Sequence, residues 1–119
     1  MEQVWKRKQK NTSRISLTES GIAVTSTSSK GESRIEEIAW GDIVKVIAYK
    51  RDCYGFDLMC LAIGVKGNAL EITEGMEGWD DLLDRAPDVL AGWRSKTDWY
   101  QGVMLPAFKA NQTVIFSRT

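Results

Sequence analysis

The sequence contains no histidine and only two cysteines among its 119 residues. Imidazole is the side chain that most often moves protons near neutral pH, so its absence excludes histidine-dependent hydrolases and histidine-ligated metal sites. A structural zinc site needs about four ligands, typically from closely spaced cysteine pairs, whereas Cys53 and Cys60 lie seven residues apart. No catalytic motif remains. The sequence therefore predicts a non-enzymatic protein with no metal and no cofactor.

Long apolar runs are also missing from the sequence. No stretch approaches the roughly 18 to 20 apolar residues that span a bilayer, and the charged residues 1–16 are not followed by an apolar signal segment. These features predict a cytoplasmic protein. In a reducing cytoplasm both cysteines are expected to be free thiols, and Cys60, which lies inside an apolar run, is expected in the core.

The composition is typical of one globular domain. Of the 119 residues, 43% are hydrophobic and 27% are charged, with 16 basic residues against 16 acidic ones. A second independent core would leave each half of this chain too small to be stable. We therefore expect a single domain that spans residues 1–119.

Alternating polar and apolar residues predict about six strands followed, after two helices, by a closing strand. The turn residues 19–21 separate the first two strands into a hairpin, and the polar stretch 25–33 is expected to form an exposed loop. Residues 50–57 are predicted to form the polar tip between the fourth and fifth strands. The predicted strands are 14–18, 21–25, 35–40, 43–49, 58–65, 69–73 and 112–117.

The spacing of apolar residues changes after residue 78. Apolar side chains recur at positions i, i+3, i+4 and i+7, which predicts a helix that starts near Gly78; they are Trp79, Leu82, Leu83 and Ala86. Pro87 lacks an amide proton, so this helix is expected to end or kink near Arg85. A second helix is expected to be capped by Ser95 or Thr97 and to end at Pro106.

These elements predict an α+β fold: a curved antiparallel sheet or partial barrel, with two helices in the C-terminal half and a closing strand. Residues 38–43 read IAWGDI, with Trp40 before a Gly-Asp bend that joins two strands. With the preceding Gly21-Ile22, residues 21–52 resemble the pleckstrin-homology-like and GRAM-like domains of bacteria, where an I-x-W-x-D-I segment turns one strand into the next. That resemblance implies a partial barrel and, as an alternative function, a module that binds lipid or a membrane surface. We expect Trp40 to be buried between the strands.

The neutral total charge hides two regions of opposite sign. Residues 1–14 carry five basic residues and one acidic residue, a net charge of +4, and residues 71–88 carry seven acidic residues and one basic residue, a net charge of −6. We call residues 1–14 the basic arm. Its five basic residues give a small footprint and the isoelectric point of the chain is 6.3, and both argue against nucleic acid as a partner. Anionic lipid is a comparable alternative for that arm. The sequence does not indicate the oligomeric state.

Three interpretations of the acidic region are open: a solvated helix face, a calcium or magnesium site, and a surface that binds a protein. A metal site is disfavoured because no D-x-D-x-D-G loop is present. Carboxylates around an aromatic residue offer a basic partner both attraction and an apolar anchor, although Trp79 can equally be a core residue. Aromatic residues at the 52–57 tip offer a second contact, unless the tip folds back onto the sheet. The predicted partner-binding residues are Glu74, Glu77, Trp79, Asp80, Asp81, Asp84, Tyr54 and Phe56.

A small, histidine-free, tryptophan-rich α+β domain with one acidic face is similar to the immunity proteins of bacterial toxin systems, including those of contact-dependent growth inhibition. The similarity is one of general kind and assigns no residue a role. It implies that the protein binds and neutralises one cognate toxin domain, for which a basic surface is expected.

Overall fold

The computed structural model describes residues 12–53, 55–106 and 111–118. Tyr54, which is a predicted contact residue, lies outside the described residues, and so does the part of the basic arm before residue 12.

The described residues form seven strands, two helices and one short 3-10 turn, and the α+β class is confirmed. Strands β1–β3 form one antiparallel sheet in that order, and the remaining strands form a second antiparallel sheet in the order β6-β5-β4-β7. Over the described ranges the two sheets do not close into a barrel. The elements are β1 (Thr12–Leu17), β2 (Gly21–Thr27), β3 (Ser33–Ala39), the 3-10 turn (Trp40–Asp42), β4 (Ile43–Asp52), β5 (Asp57–Val65), β6 (Asn68–Thr73), α1 (Trp79–Val89), α2 (Lys96–Met104) and β7 (Gln112–Ser117).

The first hairpin follows the predicted turn. The hydroxyl oxygen of Thr18 accepts the backbone N–H groups of Ser20 at 3.2 Å and Gly21 at 3.0 Å, which holds the turn between β1 and β2. The predicted exposed loop at 25–33 is wrong at both of its ends, because β2 continues to Thr27 and β3 starts at Ser33. Serine and threonine are good strand residues when a neighbouring strand pairs with them, and local polarity alone does not reveal that pairing.

Trp40 lies where β3 turns into β4, and its predicted burial is confirmed at 7% exposure. Its indole N–H donates a hydrogen bond to the carbonyl oxygen of Thr18 at 3.1 Å. The bend between the two sheets is thereby tied to the β1–β2 turn. The guanidinium of Arg118, the residue directly after β7, donates to the carbonyl oxygen of Trp40 at 3.2 Å and so also holds this bend.

A hydrophobic core joins residues of both sheets and both helices. The first sheet approaches α1 most closely at Gly78, where the N–H of Ile15 donates to the carbonyl oxygen of Glu77 at 2.7 Å. Gly78 has a φ of +95°, and a Cβ atom at this position would lie only 2.1 Å from the carbonyl oxygen of Ile15. Glycine is therefore required at the start of α1.

The two helices differ from the predictions in detail. The predicted end near Arg85 is wrong, because α1 continues through Pro87 to Val89 and the N–H of Leu90 still donates to the carbonyl oxygen of Ala86 at 2.8 Å. The missing amide proton of Pro87 removes one helical bond, and the buried side of the last turn stays packed on the core. Helix α2 begins after Ser95, whose hydroxyl makes no capping bond to the described backbone. Among the described helices, none is long and apolar enough to cross a membrane.

Strands β4 and β5 extend into the predicted 50–57 tip. Asp52 and Asp57 pair across the two strands, which shortens the tip to the residues between them. The side chains of Lys50 and Asp57 are almost fully buried and form an ion pair at 3.3 Å. The ammonium group of Lys50 also donates to the carbonyl oxygens of Met104 at 2.6 Å and Pro106 at 2.5 Å. A buried charge needs such partners, and they fix the end of α2 against the sheet.

Candidate protein-binding surface

Helix α1 carries a row of carboxylates on its outer side. Asp81, Asp84 and Asp88 recur at intervals of three and four residues, so they lie along one side of the helix, and all three are exposed. Asp80 is exposed beside this row, and Glu77 is exposed just before the helix begins. We call Asp81, Asp84 and Asp88 the acidic row.

The nearby basic residues neutralise only part of this surface. Asp81 lies 3.8 Å from Arg85, Asp80 lies 3.9 Å from Lys96, and Glu77 lies 4.0 Å from Arg14. Such long, exposed ion pairs contribute little to stability. Asp84 and Asp88 have no ion pair with any cation of the described residues. A basic partner can pair with these two carboxylates without breaking an internal contact.

Glu74, another of the predicted contact residues, is engaged inside the protein. One of its carboxylate oxygens accepts the N–H of Met59 at 2.8 Å, and the other accepts the hydroxyl of Tyr100 at 3.0 Å. Burial, together with this hydrogen bond and the charge of Glu74, raises the pKa of Tyr100 to about 12. Glu74 thus links β5 to α2 and is separate from the acidic row.

The predicted aromatic contacts have different environments. Trp79 is buried in the hydrophobic core, in agreement with the alternative interpretation that it is a core residue. Its side chain offers almost no exposed surface. Phe56 is 56% exposed at the β4–β5 tip, where the N–H of Cys53 donates to the carbonyl oxygen of Phe56 at 2.8 Å. An exposed phenylalanine at a tip is available to a partner.

A groove lies between the β1–β2 turn and the last two turns of α1. Its volume is about 390 Å³. Carboxylates line it from both sides, Glu19 from the turn and Asp88 from the acidic row, and the apolar side chain of Val89 is 48% exposed. The remaining lining residues are Leu17, Thr18, Trp40 and Arg85. The groove therefore combines apolar contact surface with two carboxylates and one guanidinium, and Asp88 makes it continuous with the acidic row.

The sequence did not indicate Leu17, Glu19, Asp88 or Val89 as contact residues, although Asp88 belongs to the acidic region 71–88. In the chain, Glu19 and Asp88 are separated by strands β2 to β6 and most of α1. They line the same groove because β1 contacts the start of α1 at Gly78. The glycine directly before the helix is the one local signal of that close approach.

Cys53 and Cys60 are free, and burial raises the pKa of the Cys60 thiol, which keeps it in the unreactive protonated form. Across ranges 12–53, 55–106 and 111–118, no three cysteine or acidic side chains are grouped so that they could hold a metal ion. Comparisons of the chain with protein-family models, curated proteins and solved structures find no match.

Proposed function

We propose that this chain is a non-enzymatic protein-binding module that recognises a basic protein surface. In this proposal it is a cytoplasmic immunity protein of a bacterial toxin system, such as contact-dependent growth inhibition, and it neutralises one cognate toxin domain by binding it. The observation that carries the proposal is the acidic row of α1, which continues into a groove with exposed apolar surface.

Each part of this surface has a physical role in binding. The acidic row attracts a basic partner and accelerates its association, because opposite charges steer the encounter. Val89 and Leu17 provide apolar contact in the groove, and removing apolar surface from water favours association. Asp84 and Asp88 gain an ion pair from the partner and lose none within the described part of the chain.

Phe56 is proposed as a second contact, separate from the acidic row. Its side chain is exposed, and an aromatic ring contributes a large contact area at a small cost in conformational entropy. Tyr54 lies outside the described residues, so it remains a contact that is predicted from the sequence alone. The lipid-binding alternative depends on the basic arm, most of which also lies outside them, and it is kept as one outcome of the experiment.

The experiment co-expresses the protein with each secreted toxin domain that the source cell encodes, and it measures cell survival and co-purification. The test variant is Asp84→Lys/Asp88→Lys. The control variant, Glu32→Lys/Asp42→Lys, makes the same change in net charge at two other exposed carboxylates, which likewise have no ion pair with a described residue.

We expect the parent and the control variant to protect cells from one toxin domain, and the Asp84/Asp88 variant to lose most of that protection. Equal protection by both variants would contradict binding through the acidic row. If the parent protects against no toxin domain but binds vesicles that contain anionic lipid, the lipid-binding alternative replaces the proposal.

A further inference from the structure

The first sheet ends in a strand with an open edge. Strand β3 pairs with β2, and no other described strand pairs with its outer side. Most of β3 is exposed on both faces, and the side chain of Ile35 within it is 62% exposed. By contrast, the outer side of β7 is contacted by Arg94, whose N–H donates to the carbonyl oxygen of Ile115 at 2.8 Å. An exposed edge of this length with an apolar side chain is able to pair with another strand.

The hydrogen-bond alternation shows which backbone groups of β3 face this edge. In an antiparallel pair, one residue directs both of its backbone groups to the same neighbouring strand and the next residue directs them to the other side. The N–H of Ile15 points away from β2, to the carbonyl oxygen of Glu77. Val24 lies opposite Ile15, so it directs its own N–H and C=O away from β1 and toward Glu36 of β3. It follows that Ile35, next to Glu36, directs its N–H and C=O to the open edge.

We propose that the open edge of β3 binds the β3 strand of a second copy of this chain, antiparallel and around a two-fold axis at Ile35. In this register Ile35 packs against Ile35 of the second copy. Arg34 lies directly opposite Glu36 of the second copy, and the symmetry repeats this pair on the other side of the axis. Neither Arg34 nor Glu36 has an ion pair with another described residue in the single chain.

The charges select this register over its neighbours. Residues of β3 whose N–H and C=O face the open edge must lie opposite one another in the two copies. Every second residue of the strand is of this kind, so the two-fold axis has to pass through a residue of β3 and not between two residues. An axis at residue 34, 36 or 37 would place Arg34, Glu36 or Glu37 opposite its own copy, and like charges directly opposite each other destabilise a pair of strands. An axis at Ile35 instead makes two opposite-charge pairs and one apolar pair. These pairs favour a second copy of this chain as the strand that binds the open edge of β3.

The product is a continuous sheet of six strands, with three strands from each copy. The acidic row of α1 takes no part in it, and the inference therefore goes beyond the proposed function and can fail without it. Arg34 and Glu36 are exposed, so replacing either one removes no packing from the core.

Sedimentation equilibrium of the full chain over a range of concentrations tests the proposal. The parent protein is expected to dimerise. Arg34→Glu and Glu36→Arg each place like charges opposite each other twice, and each is expected to raise the dissociation constant by about 10-fold or more. The double variant Arg34→Glu/Glu36→Arg restores both pairs and is expected to dimerise like the parent.

A mixture of the two single variants is the sharpest test. In a homodimer of either single variant, like charges lie opposite each other on both sides of the two-fold axis. In the mixed pair, the two glutamates of the Arg34→Glu chain lie opposite the two arginines of the Glu36→Arg chain, so a heterodimer is expected. Glu37→Gln is the control, because residue 37 faces the uncharged Ser33 of the second copy in this register. Circular dichroism confirms that each variant is folded.

Three results would each overturn the proposal. They are a parent protein that stays monomeric, single variants that dimerise like the parent, and a mixture of the single variants that forms no heterodimer.

Discussion

Replacing Trp40 with alanine is expected to lower the free energy of unfolding by about 4 kcal/mol. The side chain is 7% exposed and lies at the bend between the sheets. A buried tryptophan removes about 150 to 250 Å² from water, and at about 25 cal/mol per Å² this corresponds to roughly 4 to 6 kcal/mol, of which alanine retains a part. The substitution also leaves the carbonyl oxygen of Thr18 without its donor, which adds about 1 kcal/mol or more.

Urea denaturation followed by circular dichroism measures this loss. With a slope of about 1 to 3 kcal/mol per molar urea for a protein of this size, the midpoint is expected to fall by about 2 M. Trp40→Phe keeps most of the apolar area and loses the indole N–H, so its midpoint is expected between those of the parent and the alanine variant. If the alanine variant had the midpoint of the parent, the reasoning that this bend holds the two sheets together would be refuted.

Two further predictions concern Gly78 and Tyr100. Gly78→Ala is expected to lower the free energy of unfolding by about 2 kcal/mol or more, because the new Cβ would meet the carbonyl oxygen of Ile15. Gly92 has a similar φ of +97° but open space around it, so Gly92→Ala is expected to cost less. Equal urea midpoints for the two variants would contradict the close approach at Gly78. The pKa of Tyr100 is about 12 in the folded protein and about 10 in the unfolded chain, so its contribution to stability is present below pH 10 and lost as the pH rises through about 12. Glu74→Gln removes a negative charge and is expected to lower the pKa of Tyr100 in an ultraviolet titration; an unchanged pKa would contradict a contribution from the charge of Glu74.

The strands and helices were largely predictable because their apolar residues repeat with a regular period. Ile15 and the partly buried Leu17 lie on one face of β1, and Leu82 and Ala86 recur on one side of α1, so local sequence identified the core-facing side of each element. The errors occur where tertiary contacts override local preference. The serine-rich end of β2 becomes a strand because β3 pairs with it, and Pro87 is accommodated because the last turn of α1 packs on the core.

The candidate site was less predictable than the fold. The sequence showed that acidic residues are concentrated in residues 71–88, but it could not separate Glu74, which binds Met59 and Tyr100, from exposed carboxylates such as Asp84. Nor could it place Glu19 opposite Asp88, since that arrangement depends on how the first sheet contacts α1. The burial of Lys50 was missed for the same reason: its partners, Asp57 apart, are distant in the sequence.

The salt dependence of association with the cognate toxin domain tests the central claim most directly. The association rate is measured by stopped flow for the parent, for Asp84→Lys/Asp88→Lys and for the control Glu32→Lys/Asp42→Lys. At low salt the Asp84/Asp88 variant is expected to associate about 10-fold or more slowly than the parent, the control is expected to differ far less, and the gap is expected to shrink as salt rises. Equal rates for the two variants at every salt concentration would contradict the account, because the acidic row would then have no special part in binding.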